Sequence, residues 1–291
     1  MAPVAQRETT APAPHRGTFG AQRPARLSGL HLPPAPMPAR LGLRALKAWR
    51  YVGIYGPELM LCIGSVRIGP ARQAFWALWD RQASLLYEHT VLGRGAVRLE
   101  RGRARIADGR VELDIELEED DGIETICPSG AGYAWTRKQG GIRARGAVAI
   151  DGRLRPVDAR AVIDDSAGYH QRSVSWRWSA GVGAAHDGRP VAWNLVSGIN
   201  DPVRDSERTI WVDGEAAEVG PSTFAADLGG VDFTEGGGLR FNPEAERTRT
   251  ENMVLVRSSY RQPFGTFTGL LPGGLELGHG FGVMEEHDVR W

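Results

Sequence analysis

Apolar and polar residues alternate along most of the chain from about residue 44 onward. The clearest case is 110–118, where apolar residues occupy the odd positions from 111 to 117 and acidic residues the even positions from 112 to 118. Successive side chains of a strand point to opposite faces, so this pattern predicts a half-buried antiparallel strand. Turn sequences such as Asp108-Gly109 and Asp151-Gly152 separate similar runs at intervals of about ten residues.

The pattern predicts an all-β protein with two series of antiparallel strands. The predicted strands are 51–55, 59–68, 74–79, 85–92, 96–105, 110–118, 141–150, 157–163, 173–183, 190–197, 208–213, 239–241, 253–260, 264–271 and 275–286. A helix is conceivable between 71 and 90, but the aromatic alternation there favours strands. Each series is long enough for about eight strands, as in a barrel or a sandwich. We therefore predict an N-terminal half over 44–153, a C-terminal half over 154–291, and a join near 151–156.

Residues 1–43 differ from the rest of the chain. They are rich in proline and arginine and contain almost no acidic residues. Proline removes a backbone donor, so this stretch is expected to form neither a strand ladder nor a helix. We predict a Pro-rich arm that is extended over the body or partly disordered.

Composition narrows the classes of partner. The 291 residues are 42% hydrophobic and have a formal net charge of +0, which permits a core and gives no electrostatic reason to expect nucleic acid. No apolar run is long enough for a membrane span, and the N-terminus lacks a signal-peptide pattern, so we predict a cytoplasmic protein. Cys62 and Cys127 are predicted to be buried free thiols rather than a disulfide.

Familiar cofactor and nucleophile motifs are absent from the sequence. It contains no GxSxG elbow, GxGxxG loop, Walker A loop or HExxH helix. The seven histidines are dispersed, and no set of three or four metal ligands can be assembled from their spacing. We therefore expect neither a cofactor nor a metal.

Two segments carry candidate acid–base residues. His170 follows an acidic stretch, and we expect it at a barrel mouth with Asp165 orienting its ring. The alternative is an ordinary surface histidine beside an Asx turn. On the last predicted strand, Glu285 shares a face with His287, and burial in an apolar barrel would raise its pKa into the range of a general acid. The alternative for Glu285 is an ion pair with an arginine.

Aromatic and amide residues supply candidate contacts to a ligand. Trp176 and Trp178 share one face of a strand and are expected to stack on a substrate. Asn194 lies within an apolar strand, where it binds either a ligand or a neighbouring loop. The full set of predicted substrate-binding residues is Trp176, Trp178, Asn194, Tyr169, Gln262 and Arg257.

Short motifs in a fixed order resemble an uncharacterised bacterial family with a domain of unknown function. They are Trp176-x-Trp178, Asn194-Leu195, 207–214, Gln262-x-Phe264-Gly265 and 285–291. More distantly, the chain is similar to lipocalin-like double-barrel proteins such as hydroxyneurosporene synthase, tocopherol cyclase and fungal Diels–Alderases. That resemblance implies two calycin-like barrels, a pocket for a large apolar molecule, and proton-driven chemistry without a redox cofactor.

Taken with the residues, the resemblance favours a protein that binds a lipid-like, isoprenoid or polyketide molecule in a β-barrel pocket. Hydration, cyclisation or isomerisation would follow from proton delivery by Glu285, or by Asp165 near His170. A non-catalytic carrier or sensor on the same fold is the first alternative, and a structural or partner-binding protein is the second.

Overall fold

The computed structural model describes residues 12–93, 95–252 and 257–291. Strands dominate these ranges, and their only helical segments are two short 3-10 turns, Ala25–Leu27 and Pro272–Gly274. No helix in the described ranges has the length and apolar character needed to cross a membrane. The protein is therefore all-β, as the alternation predicts.

The strands divide into two curled antiparallel sheets and one small hairpin. In the first part of the chain they are β1 (His15–Thr18), β2 (Arg40–Leu41), β3 (Arg44–Ala45), β4 (Lys47–Tyr55), β5 (Leu59–Ile68), β6 (Ala71–Asp80), β7 (Leu85–Leu92), β8 (Val97–Glu100), β9 (Arg103–Asp108), β10 (Val111–Leu117), β11 (Ile123–Ser129), β12 (Gly132–Ile150) and β13 (Arg153–Gly168). In the second part they are β14 (Ser173–Ala185), β15 (Pro190–Ser197), β16 (Thr209–Val212), β17 (Glu215–Glu218), β18 (Ser222–Phe224), β19 (Gly230–Phe233), β20 (Gly238–Asn252), β21 (Arg257–Leu271) and β22 (Leu275–Arg290).

The two sheets share one topology. The first runs β7-β6-β5-β4-β13-β12-β10-β9-β8, and the second runs β17-β16-β15-β14-β22-β21-β20-β19-β18. In each sheet, the strand of this order that comes first in the sequence pairs with the strand that comes last: β4 with β13, and β14 with β22. The remaining strands extend from this central pair as two meanders, one on each side. This duplication is structural, since the sequence shows no exact internal repeat.

The change from one sheet to the other comes later than predicted. The predicted strand 157–163 lies in β13, which pairs with β12 and β4 and so belongs to the first sheet. The second sheet begins at Ser173. We therefore propose that the N-terminal half extends to Gly168, beyond the join expected near 151–156.

Other strand predictions need smaller corrections. The predicted strand 96–105 is two strands, β8 and β9, joined by a turn. The conceivable helix at 71–90 is β6 and β7. The predicted strand 253–260 falls partly outside the described residues, since 253–256 are not among them.

The Pro-rich arm contributes to the first sheet, contrary to the prediction that it forms no ladder. Within it, β1 pairs with β11, and a 3-10 turn follows at Ala25–Leu27. The side chains of Leu27 and Leu32 are buried against Ile126 and Trp135 in a small core of their own. Residues 1–11 of the arm lie outside the described residues.

Three further cores follow from the period-two alternation of the strands. Val52 and Ile54 of β4 face the concave interior of the first half, where apolar side chains fill the space. Trp193 and Leu195 of β15 do the same in the second half. The opposite faces of both sheets pack against each other through residues such as Tyr55 and Phe264. The two sheets are therefore joined by an apolar core of their own.

Candidate functional site

A cavity opens where the packed interface between the two sheets ends. The volume of this cavity is about 160 Å³. Its walls come from both sheets: Trp49, Arg50, Tyr51, Val66, Ile68, Gln73, Phe75, Lys138, Asp164, Trp176, Trp178, Val196, Ile199, Asn200, Glu207, Arg247, Arg249, Glu251, Ser258, Tyr260, Glu285, His287, Val289 and Trp291. The sequence predicted a pocket inside a barrel. This cavity lies between the halves instead, because apolar side chains fill both concave interiors.

Strand register brings the predicted aromatic and acidic residues together. On the pair β14–β22, Trp176 lies opposite His287 and Trp178 lies opposite Glu285. Alternation keeps all four side chains on the face that meets the first sheet. The predicted shared faces of Trp176 with Trp178 and of Glu285 with His287 thus become one wall of the cavity.

Glu285 is the buried carboxyl group of this wall. Its side chain is 8% exposed, and burial raises its pKa from 4.5 to about 7. Trp176 Nε1 donates to one carboxyl oxygen at 2.9 Å, and Gln262 Nε2 donates to the other at 2.9 Å. The donor from Trp176 lowers the pKa, but not enough to offset desolvation. At neutral pH the group is therefore divided between its acid and its carboxylate.

Tyr260 and Arg247 lie beside Glu285. Burial raises the pKa of Tyr260 well above 10, so its hydroxyl stays protonated. That hydroxyl is buried and has no hydrogen-bond partner within the described residues. The guanidinium of Arg247 lies 4.4 Å from the ring centre of Phe75 and 5.1 Å from that of Tyr260. The positive charge is thus held on aromatic faces at the edge of the cavity.

His287 is a neutral neighbour of the acid. Burial lowers its pKa to about 4, so the imidazole carries no charge near pH 7. Its Nε2 is 2.8 Å from the Ser258 hydroxyl, and its ring centre is 4.3 Å from that of Trp176. These contacts fix the orientation of the His287 ring against the indole of Trp176.

A second polar group enters the cavity from the first sheet. Lys138 Nζ lies 2.6 Å from Asp164 and 3.2 Å from Glu207, and all three side chains are buried. We call this set the Lys138 cluster. Burial by itself lowers the pKa of Lys138, but the two carboxylates outweigh it and raise the pKa above its ordinary value. Burial raises the pKa of Glu207 despite the opposing charge of Lys138.

His170 and Asp165 do not lie where the sequence predicted. Residues 164–168 continue β13 rather than forming a turn, and His170 is 1% exposed, stacked on Trp49 with ring centres 5.4 Å apart. Neither ring nitrogen of His170 has a hydrogen-bond partner in the part of the chain that the structure describes. Asp165 instead pairs with Arg50 at 2.8 Å and with Arg137 at 2.7 Å. The expected orienting contact between Asp165 and His170 is therefore wrong.

The other predicted ligand contacts have protein partners. Asn194 accepts a hydrogen bond from Trp178 Nε1 at 2.8 Å and donates to the backbone oxygen of Glu207 at 2.9 Å, so it ties a loop to the cavity wall. Gln262 supports Glu285 from behind. Tyr169 donates to the backbone oxygen of Pro38 at 2.8 Å and so holds the Pro-rich arm. The last predicted contact, Arg257, is exposed on β21 and is not among the described residues that line the cavity.

Sequence reasoning missed the Lys138 cluster. Glu207 and Arg208 are adjacent charged residues, which are usually exposed, yet they are only 3% and 1% exposed. The backbone oxygens of Asp201 and Pro202 accept from the Arg208 guanidinium at 3.1 and 2.7 Å. The signal that could have revealed Glu207 is its position two residues before the apolar strand β16.

Across residues 12–93, 95–252 and 257–291, no group of three or more His, Cys, Asp or Glu side chains could hold a metal ion.

Comparisons with solved structures identify the fold. The chain is similar to a putative AttH from Nitrosomonas europaea, with a TM-score of 0.55, 14% identity, and coverage of 89% of this chain and 98% of that one. It is also similar to kievitone hydratase from Nectria haematococca, with a TM-score of 0.52, 11% identity, and coverage of 82% and 88%. These matches confirm the predicted similarity to lipocalin-like double-barrel proteins at the level of the fold.

Sequence comparison places the chain in a family. No curated protein matches it. A family model described as a domain of unknown function, DUF2804, matches residues 87–291, which is more than half of the chain, and the chain therefore belongs to that family.

Proposed function

We propose that this protein binds an apolar lipid-like, isoprenoid or polyketide molecule between its two sheets and protonates it with Glu285. The observation that carries the proposal is a buried carboxyl group, with a pKa of about 7, on an aromatic wall of the cavity. A general acid works best when its pKa lies near the ambient pH. An aromatic wall is also the surface on which an apolar molecule is desolvated.

The residues of the wall suit a reaction that passes through positive charge. Glu285 would donate its proton to a carbon–carbon double bond, leaving a carboxylate and a cationic carbon. The π faces of Trp176 and Trp178 would stabilise that cation. Loss of a different proton to the carboxylate completes an isomerisation. Attack by an internal double bond, followed by such a loss, completes a cyclisation. Attack by water, followed by loss of one of the water's protons to the carboxylate, completes a hydration and restores the acid.

The roles of the remaining predicted residues differ in this proposal. Gln262 and Asn194 position Glu285 and Trp178 rather than contacting the ligand. His170, Asp165, Tyr169 and Arg257 are assigned no step, because their side chains face other partners or solvent. The hydratase named among the structural relatives fits a hydration, although 11% identity supports the fold alone.

The first test is to identify the ligand. The protein would be purified from its own host, studied by native mass spectrometry, and extracted so that any bound small molecule can be identified. The proposal expects a co-purifying apolar molecule. A clean unliganded mass, repeated after incubation with a lipid extract, would contradict it and favour a structural or partner-binding protein.

The second test concerns Glu285 itself. The identified molecule would be incubated with the protein in deuterium oxide, and deuterium entering carbon positions would be measured by mass spectrometry. Glu285→Gln should abolish the incorporation. Glu286→Gln is the matched control, since Glu286 is the next residue of β22, faces the other way and pairs with Arg177 at 2.8 Å. Binding without any incorporation by the unmodified protein would favour a carrier or sensor.

A further inference from the structure

The Lys138 cluster is a second polar group on the cavity wall, and the acid–base chemistry of Glu285 does not use it. The two carboxylates are themselves held in place. Trp49 Nε1 and the Ser166 hydroxyl donate to Asp164 at 3.3 and 2.9 Å, and Asn200 Nδ2 donates to Glu207 at 3.2 Å. The cluster is thus an ordered set of donors and acceptors rather than a group of loose side chains.

Lys138 has more donors than these carboxylates use. An ammonium group carries three N–H donors. Asp164 and Glu207, the two partners described for it, account for two of them. Lys138, Asp164 and Glu207 also all line the cavity, so the set faces the space where a ligand would lie.

Stability alone is a weak reason for such an arrangement. Three ionisable groups removed from water stabilise a fold less than apolar residues of the same volume would. The cluster also joins the sheets, because Lys138 and Asp164 belong to the first and Glu207 precedes the second sheet's β16. A ligand between the sheets would therefore meet it directly.

We propose that the Lys138 cluster is the subsite for a neutral oxygen of the ligand, a hydroxyl or a carbonyl, so that the molecule bound is an oxygenated apolar compound. This inference rests on the proposed function and specifies its substrate class. The third N–H of Lys138 donates to the ligand oxygen, and a ligand hydroxyl donates in turn to Asp164 or Glu207.

The charge of the cluster selects among polar ligands. A ligand carboxylate would bring a third acidic group to a single ammonium, which is unfavourable in a poorly hydrated site. A ligand ammonium would have to displace Lys138 from its own partners. A neutral oxygen avoids both conflicts, so alcohols, ketones and aldehydes fit the subsite.

The subsite is separate from the acid but within its electrostatic range. The charge of Asp164 adds to the effect of burial in raising the pKa of Glu285. A ligand anchored by its oxygen at Lys138 would therefore place its hydrocarbon part against Trp176 and Trp178. The double bond protonated by Glu285 would then lie away from the oxygen.

Three probes with similar carbon skeletons test this assignment: geraniol, the hydrocarbon myrcene and geranic acid. Their dissociation constants would be measured near neutral pH by quenching of tryptophan fluorescence. For the unmodified protein we expect geraniol to bind most tightly and geranate most weakly. Loss of a hydrogen bond to a charged group weakens binding roughly tenfold or more, so Lys138→Met should reduce the preference for geraniol over myrcene by that factor.

Glu207→Gln provides a variant that keeps the Lys138–Asp164 pair and the shape of the side chain. Removing one negative charge should shift the ratio of affinities toward geranate, roughly fivefold or more relative to geraniol. Asp114→Asn is the control, since it removes an exposed carboxylate that pairs with Arg103 on the first sheet. Circular dichroism would establish that each variant is folded.

The outcomes separate the two proposals. One outcome is that all three probes bind with the same ratios of dissociation constants in Glu207→Gln as in the unmodified protein. That result would refute the subsite but leave the proposed role of Glu285 as the acid untouched. If none of the probes binds the unmodified protein, both the subsite and the apolar pocket are refuted. A purely structural role for the cluster predicts equal weakening for all three probes.

Discussion

Replacing Glu285 with glutamine should change how the stability of the protein depends on pH. The carboxyl has a pKa of 4.5 in water and about 7 in the folded protein, because burial disfavours its charged form. The folded state therefore binds this proton more tightly than the unfolded state does. Its contribution to stability is fully present below about pH 4.5 and is lost as the pH rises through about 7.

The magnitude follows from the two pKa values. Their difference, at about 1.36 kcal/mol for each pH unit, corresponds to about 3 kcal/mol of the free energy of unfolding. Glutamine keeps the shape of the side chain and does not ionise. The stability of Glu285→Gln relative to the unmodified protein should therefore rise by about 3 kcal/mol between pH values below about 4.5 and pH values above about 7.

Urea denaturation at a series of pH values, followed by tryptophan fluorescence, measures this difference. Subtracting the two curves removes every other titrating group that the substitution leaves unchanged. Glu286→Gln is the control, because it makes the same substitution one residue away, at a carboxylate that is about one-third exposed beside Arg177. A flat difference curve for Glu285→Gln would refute the raised pKa and with it the assignment of Glu285 as the acid.

Three further predictions concern other buried groups. Burial lowers the pKa of His170 from 6.5 to about 3, so the unmodified protein should lose up to about 5 kcal/mol as the pH falls through that interval, and His170→Phe should remove this loss in acid denaturation experiments. Lys138→Met should lower the free energy of unfolding, measured by urea denaturation at neutral pH, by about 3 to 5 kcal/mol, because it leaves two buried carboxyl groups without their cation. A loss below about 1 kcal/mol, which is typical of an exposed ion pair, would contradict the described contacts. Cys62 and Cys127 are free and buried, with pKa values raised to about 11 and about 12, so a thiol-reactive disulfide reagent should label both rapidly only after denaturation.

Much of the fold was predictable because strand alternation is a local property. The alternation of apolar and acidic residues in β10, and the turns beside it, are visible in neighbouring residues alone. The prediction of an all-β chain is confirmed. The predicted buried free thiols are confirmed for the same reason, since both cysteines lie in apolar strands. The pairing of β4 with β13 joins residues more than a hundred positions apart, and no local pattern specifies such a partner.

The sequence could predict neighbours in the candidate site only where both residues lie on the same strand. Trp176 with Trp178, and Glu285 with His287, share faces that the sequence reveals, but their meeting depends on the register between β14 and β22. Lys138 was missed because it lies outside the predicted strand 141–150, and because lysine is normally a solvated residue. Here the whole segment 132–139 is buried, since β12 continues beneath the Pro-rich arm and the second sheet.

His170 shows how a cluster in sequence can mislead. Its acidic and aromatic neighbours suggested a site, yet the chain passes from the first sheet to the second at this point, between Gly168 and Ser173. Adjacent side chains there point toward different partners. Tyr169 holds the arm while His170 packs on Trp49, so neither side chain is among the described residues that line the cavity, although Asp164 and Trp176 on either side of them are.

The position of β22 has a consequence for how the protein folds. It pairs with β14 on one side and β21 on the other, so it alone joins the two meanders of the second sheet. The two meanders cannot pair with each other until β22 has been synthesised. The same strand carries Glu285 and His287. The first sheet is complete in sequence at Gly168 and can fold during translation. Assembly of the cavity therefore depends on β22, although the strands of the first sheet are all present in the chain long before it.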